Sequence, residues 1–137
     1  MQQLPTDLKI LECIYVMYAD AFREFSRENP TRDAKIYVPI DVRRVAESLK
    51  TDPHVLFGRL YYHLDHKYHY DQENGARVHL FAFQAGNDRH CINYPYLAAI
   101  LSEQRTEHRR SLWAIVLSII SLILSLASII AQVITAK

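Results

Sequence analysis

Glycine and cysteine are scarce in this chain, three and two among 137 residues. No glycine-rich phosphate loop can be built from them, and neither a G-x-S-x-G nor an H-E-x-x-H stretch occurs. The acids of the first helix stand one turn from bases, Asp20 near Arg23 and Glu24 near Arg27, which is ordinary surface pairing. Cys13 and Cys91 are far apart and form no C-x-x-C, so reduced, packed thiols are expected rather than a disulfide or a zinc site. Net charge is missing too. Of the sixteen Lys and Arg only Lys137 lies beyond residue 110, which leaves fifteen against fifteen Asp and Glu. The opening Met1-Gln2-Gln3-Leu4-Pro5 has neither the basic nor the apolar region of a signal peptide. The chain is therefore read as a non-enzyme without cofactor or metal.

One stretch lacks charge, proline and glycine altogether: residues 112–136. An apolar run beyond 18 residues reads as a transmembrane helix. At ~1.5 Å per residue it reaches roughly 37 Å, enough to cross a hydrocarbon layer of ~30 Å with some tilt. Trp113 suits the headgroup boundary at one end. Arg105, His108, Arg109 and Arg110 precede the run, and only Lys137 follows it. The positive-inside rule then keeps the N-terminal part cytoplasmic and sends the C-terminus across. The expectation is a tail-anchored, single-pass protein of the inner (cytoplasmic) membrane.

Polar residues within the run are not scattered. Ser111, Ala114, Ser118, Ser121, Ser125, Ser128, Gln132 and Thr135 follow one another at alternating steps of three and four. This a/d seam collects every Ser, Thr and Gln of the segment. Small hydroxyl residues let helix backbones approach and can bond across helices, each such bond contributing about 0.6–2 kcal/mol. The 3.5-residue period predicts left-handed supercoiling. A lone anchor whose hydroxyls bond back to their own carbonyls is the simpler account. Self-association is the reading the confined stripe favours, with a wet pore as its sharper form.

The soluble part reads as α+β. Leu8, Leu11, Ile14, Tyr15, Tyr18, Phe22 and Phe25 predict a first helix of about twenty residues, capped by Thr6 or Asp7 and ended by Asn29-Pro30. Residues 36–40 are a short strand candidate. Asp41 caps a second helix with Val42, Val45, Ala46 and Leu49 inward. Asp52-Pro53 opens a third helix, which buries Leu56, Phe57, Leu60, Tyr61 and Leu64 and exposes His54, Arg59, Tyr62, His63 and His66. Residues 67–70 and 77–83 predict paired strands around Asn74-Gly75, and Gly86-Asn87-Asp88 turns into a further strand over residues 89–93. Tyr94-Pro95 starts a last helix with Leu97, Ile100 and Leu101 inward, with no loop before the apolar run.

Over residues 36–83, IYVPIDVRRVAESLKTDPHVLFGRLYYHLDHKYHYDQENGARVHLFAF, the order strand, helix, turn, helix, two-stranded wing resembles a winged helix-turn-helix domain. The resemblance covers element order in about half the chain and places the wing tip at Asn74-Gly75. The expected division is a winged-helix domain over 1–94, a juxtamembrane helix over 95–110 and a transmembrane helix over 111–137. A small domain of this kind on a membrane helix also resembles accessory effectors of bacterial anti-phage (retron-type) defence, which implies damage to the inner membrane. The winged-helix resemblance implies partner or DNA contacts through Arg59, Tyr62, His63, His66, Lys67 and Arg77. Charge argues against DNA. Residues 51–79 carry three bases, Arg59, Lys67 and Arg77, against Asp52, Asp65, Asp71 and Glu73, where a DNA reader needs a basic face.

His63, His66 and His69 recur at steps of three, but without third and fourth ligands they read as surface and wing residues, not a metal site. Two functions remain. The first is a membrane effector that assembles through the seam, with membrane lipid, its own copies and a protein bound by the winged helix as partners. The second is a membrane-tethered winged-helix regulator of DNA, or a subunit of a larger membrane complex.

Overall fold

The computed structural model describes residues 4–136. Met1, Gln2, Gln3 and Lys137, on which the expectations about a signal peptide and the charge after the apolar run depend, lie outside them. The described residues fall into two compact units that divide between Leu101 and Ser102.

In the first unit, Thr6 caps α1 (Asp7–Met17) by accepting the Lys9 N–H at 3.3 Å, which leaves the Asp7 carboxylate free for other partners. Ile10, Leu11 and Ile14 form its buried stripe, Ile10 being an inward position that the spacing argument passed over. The first helix is shorter than expected and broken. Tyr18 leaves helical geometry, α2 (Ala19–Arg23) follows, and the helix stops well before Asn29-Pro30. The Tyr18 hydroxyl accepts the Asp41 N–H at 2.7 Å, which ties the break to the start of the second helix. Arg32, only 7 % exposed, donates to the carbonyls of Ala21, Ala34 and Lys35 and lies over the Phe25 ring, stitching the long connection that follows. Phe25 thus packs under a guanidinium rather than continuing the apolar stripe.

Two local start signals act as the sequence implies. Asp41 accepts the N–H groups of Arg43 and Arg44 ahead of α3 (Val42–Ser48). Asp52 accepts those of His54 and Val55, and Pro53 takes the first helical position of α4 (Pro53–Gly58). The third helix runs beyond residue 66. After α4 it widens into a π-helical segment, Arg59–Leu64, and closes with α5 (Asp65–Tyr68). Leu56, Leu60 and Leu64 stay buried through the change of pitch.

The strands pair differently from the expectation. Lys67 and Tyr68 are helical. The Asn74-Gly75 hairpin is short, β2 (Tyr70–Asp71) pairing antiparallel with β3 (Arg77–Val78). The stretch after it, β4 (Phe81–Ala85), pairs with β5 (Asp88–Asn93) instead. With β1 (Tyr37–Pro39) on the other side of β5, the three-stranded sheet has the order β1-β5-β4. The separation has a physical cause in the buried Asp65 carboxylate. It accepts the Phe81 N–H at 3.0 Å and holds His79 Nδ1 at 2.7 Å, so the hairpin ends there while Leu80 and Phe81 turn into the core.

Gly86 makes the β4–β5 turn with φ +63°, and a Cβ there would lie 2.3 Å from Asp33 Oδ2. That oxygen accepts the Asn87 N–H at 2.6 Å. Gly86→Ala is therefore expected to destabilise the unit by about 1–2 kcal/mol, from the left-handed backbone and the displaced carboxylate together. Thermal unfolding followed by near-UV circular dichroism measures it, and an unchanged midpoint would show that the turn can rearrange freely.

Helix α6 (Tyr94–Thr135) starts with the Asn93 side chain accepting the Tyr96 N–H at 3.2 Å. Its Tyr94, Leu97, Ile100 and Leu101 belong to the core of the first unit. Tyr94 stacks between Tyr15 and Phe22, with ring centroids 5.1 and 4.7 Å away, and donates its hydroxyl to the Tyr15 carbonyl. From Ser102 onward α6 makes up the second unit by itself, and every side chain from Arg105 to Ala136 is exposed.

Candidate functional site

Helix α6 is, among the described residues, the helix long and apolar enough to cross a membrane, and none of its apolar window is buried. This fits a single-pass membrane protein. Leucine, isoleucine and valine side chains are exposed throughout residues 112–134, with Trp113 near the start of that run and Arg105, Arg109 and Arg110 exposed before it. In water such a surface would be a severe liability, whereas lipid solvates it.

Ser111, Ala114, Ser118, Ser121, Ser125, Ser128, Gln132 and Thr135 all lie within this one helix, so their alternating spacing sets them along one face. Part of the stripe's polarity is satisfied within the helix. The Ser121 hydroxyl donates to the Leu117 carbonyl at 2.9 Å, Ser128 to Ser125 at 3.1 Å, and Thr135 to Ala131 at 2.9 Å. Back-bonding removes the cost of an unpaired O–H in hydrocarbon. What these serines then offer a neighbouring helix is small size and free lone pairs.

In the first unit the residues singled out on the third helix separate into two groups. Arg59, His63 and Lys67 stand four residues apart and converge on Asp7 at the start of α1. The Arg59 guanidinium bonds Asp7 Oδ1, His63 Nε2 lies 3.1 Å from Oδ2, and Lys67 Nζ lies 4.0 Å from the same oxygen. Burial works against the Asp7 carboxylate, but hydrogen bonds from Arg59 and His63, with their positive charge, outweigh it and hold its pKa below the usual value. Arg77 is on the hairpin, in a two-pronged pair with Asp71 at 2.8 and 3.3 Å. The bases that a DNA-reading surface would need are thus bound to acids of the same domain. His66 is exposed, its ring 5.5 Å from that of His69.

Tyr62 belongs to the second group. It is 78 % exposed and sits at the edge of a run of rings that sequence reasoning did not assemble. Phe57 contacts Tyr61 at 4.6 Å and Tyr62 at 6.3 Å, Tyr61 reaches Phe83 at 6.2 Å, and Phe83 meets His90 at 5.1 Å. Phe83 is 56 % exposed. The Tyr61 hydroxyl is 3.0 Å from His90 Nδ1, and burial pushes its pKa up, so it serves as a neutral hydrogen-bonding group. His90 holds a left-handed φ of +55° and stands opposite Phe83, between the Ala82–Cys91 and Gln84–Arg89 pairs, which puts both rings on one face of the sheet. Beside the rings an open groove of about 730 Å³ is lined by Ile40, Val42, Pro53 and Phe57, with Asp41, Asp52, Arg43 and His54 around it. Asp41 and Asp52 already cap helices, so the only legible sign of the groove was the pair of caps themselves.

Cys91 is fully buried, and desolvation followed by the nearby Asp88 charge pushes its thiol up, which makes it a poor nucleophile. Cys13 lies half-buried with its Sγ 3.5 Å from the Ser48 hydroxyl. Among the described residues no group of three His, Cys, Asp or Glu side chains is placed to hold a metal ion. Compared with models of protein families, with curated proteins and with solved structures, the chain matches none.

Proposed function

We propose that this protein is an effector of the bacterial inner membrane that self-associates through the α6 seam, its soluble domain docking a protein partner or restraining assembly. The observation that carries the reading is the confinement of every serine, threonine and glutamine of the apolar segment to one stripe. A plain anchor has no use for such a stripe, because lipid solvates apolar residues equally well on all faces. The self-bonded hydroxyls direct the proposal toward close packing of small residues rather than a ladder of interhelical hydrogen bonds.

For the soluble domain, a winged-helix architecture is supported by the three-stranded order β1-β5-β4 and by the helix pair α3 and α4 between the first two strands in sequence. In that reading the wing is the β4–β5 turn at Gly86-Asn87, and the Asn74-Gly75 hairpin is an insertion before it. Protein docking is supported by the exposed aromatic cluster around Tyr62 and Phe83. The reading assigns no catalysis, cofactor or metal to the chain. A cytoplasmic N-terminal domain is supported by the arginines before the apolar run.

The second reading, a membrane-tethered DNA regulator or complex subunit, draws on the line of basic residues along the third helix, but their pairing with Asp7 weakens it. Induced expression in a bacterial host, with membrane potential followed by a dye, separates the two. The full chain is expected to depolarise the membrane, and the chain with Ser118, Ser121, Ser125 and Ser128 changed to leucine is not. No depolarisation by either chain would move the assignment to the tethered regulator or subunit.

A further inference from the structure

Three basic side chains of the third helix converge on the single carboxylate of Asp7. Arg59 uses one terminal nitrogen on Oδ1, while its Nε is buried and finds no acceptor among the described residues. His63 and Lys67 both turn to Oδ2, and Lys67 stops at 4.0 Å. Charge is mismatched as well, one carboxylate facing an arginine and a lysine. A guanidinium is best satisfied when Nε and a terminal nitrogen bind two oxygens of one anion side by side. Asp7, reaching in from another helix, meets only one prong of that fork.

The backbone supports the same reading. The π-helical segment contains Arg59 and His63, with Lys67 one turn beyond it. Such widened turns are uncommon and concentrate at functional sites. Here the wider pitch keeps residues four apart in register, so that all three side chains reach the same point.

We propose that Arg59, His63 and Lys67 form a binding site for a phosphate monoester dianion, closed in this structure by Asp7 acting as an internal stand-in. Three non-bridging oxygens arranged tetrahedrally can take the Arg59 fork, the His63 nitrogen and the Lys67 ammonium together. Two negative charges match the arginine and lysine where one does not. The phosphate can be soluble or can belong to a lipid headgroup such as phosphatidic acid; the recognising chemistry is the same. The inference does not depend on seam association and stands or falls separately.

The test uses the full chain in phosphatidylcholine nanodiscs, with inorganic phosphate titrated by calorimetry. Asp7→Asn keeps the Thr6 cap and is expected to bind phosphate about tenfold or more tighter than the wild-type chain. Adding Arg59→Gln to that variant is expected to abolish the gain. Equal affinity in wild type and Asp7→Asn would overturn the proposal, as would a gain that survives Arg59→Gln. Asp7→Ser is the second variant if Asp7→Asn does not fold, judged by near-UV circular dichroism. In nanodiscs doped with phosphatidic acid, weaker apparent binding of free phosphate to Asp7→Asn assigns the site to headgroups. Unchanged binding assigns it to a soluble phosphate, and both assignments require the first gain.

Discussion

Replacing Ser118, Ser121, Ser125 and Ser128 together by leucine is expected to convert an associated chain into a monomer in the bilayer. Leucine is as soluble in lipid as the residues already lining the other faces, so insertion is not impaired. What changes is the distance at which two helices can pack. Four added isobutyl groups along one seam hold the backbones apart and remove the contacts on which association in lipid depends, dispersion above all. A combined packing loss of roughly 2–3 kcal/mol would lower the association constant about thirty- to a hundredfold. Energy transfer between labelled chains at graded dilution in lipid measures this directly. The self-bonding of Ser121, Ser128 and Thr135 sharpens the expectation. Serine to alanine at the same four positions keeps the groove narrow and should leave association largely intact, whereas an interhelical hydrogen-bond ladder would be lost. Association unchanged by leucine would remove the seam from consideration.

The second large effect is expected at Asp65. Asp65→Ala should lower the stability of the first unit by about 2–4 kcal/mol, because it removes the acceptor of a buried N–H and the hydrogen-bond partner of His79 at once. Phe81, whose N–H bonds Oδ1, is 1 % exposed, so water cannot replace the lost partner without opening the core. His79, held on Oδ2 at 2.7 Å, would be released, and with it the hairpin from the end of the third helix. For a domain of this size each kcal/mol shifts the melting midpoint by roughly 4–8 °C. Thermal unfolding of the full chain in detergent, followed by the near-UV signal of the tyrosines, all of which lie in the first unit, reads that unit. Asp65→Asn retains an acceptor for Phe81 and should cost less than half as much. A midpoint unchanged in Asp65→Ala would mean that the hairpin and β4 are held by packing alone.

The order of these effects explains what a linear reading could reach. By itself the sequence determined the features whose causes lie within a few residues. The charge-free run and its stripe follow from helical repeat alone. Asp41, Asp52 and Pro53 begin their helices because a short carboxylate and a fixed φ act on the next three backbone groups. The positive-φ turns at Gly75 and Gly86 belong to the same class.

Tertiary structure decided everything that depends on partners far apart in the chain. Asp7 meets residues more than fifty positions away, so bases counted as a free surface are engaged. Asp65, counted as a surface acid, is a buried clasp that ends the hairpin and hands Phe81 to the other sheet. Tyr18 breaks the first helix because its hydroxyl finds Asp41, although the apolar spacing runs on past it. Local periodicity records which face of an element is apolar. Which charge neutralises which, and which rings meet, is set only once the elements pack, because desolvation makes an unpaired buried group so costly that distant partners are drawn together.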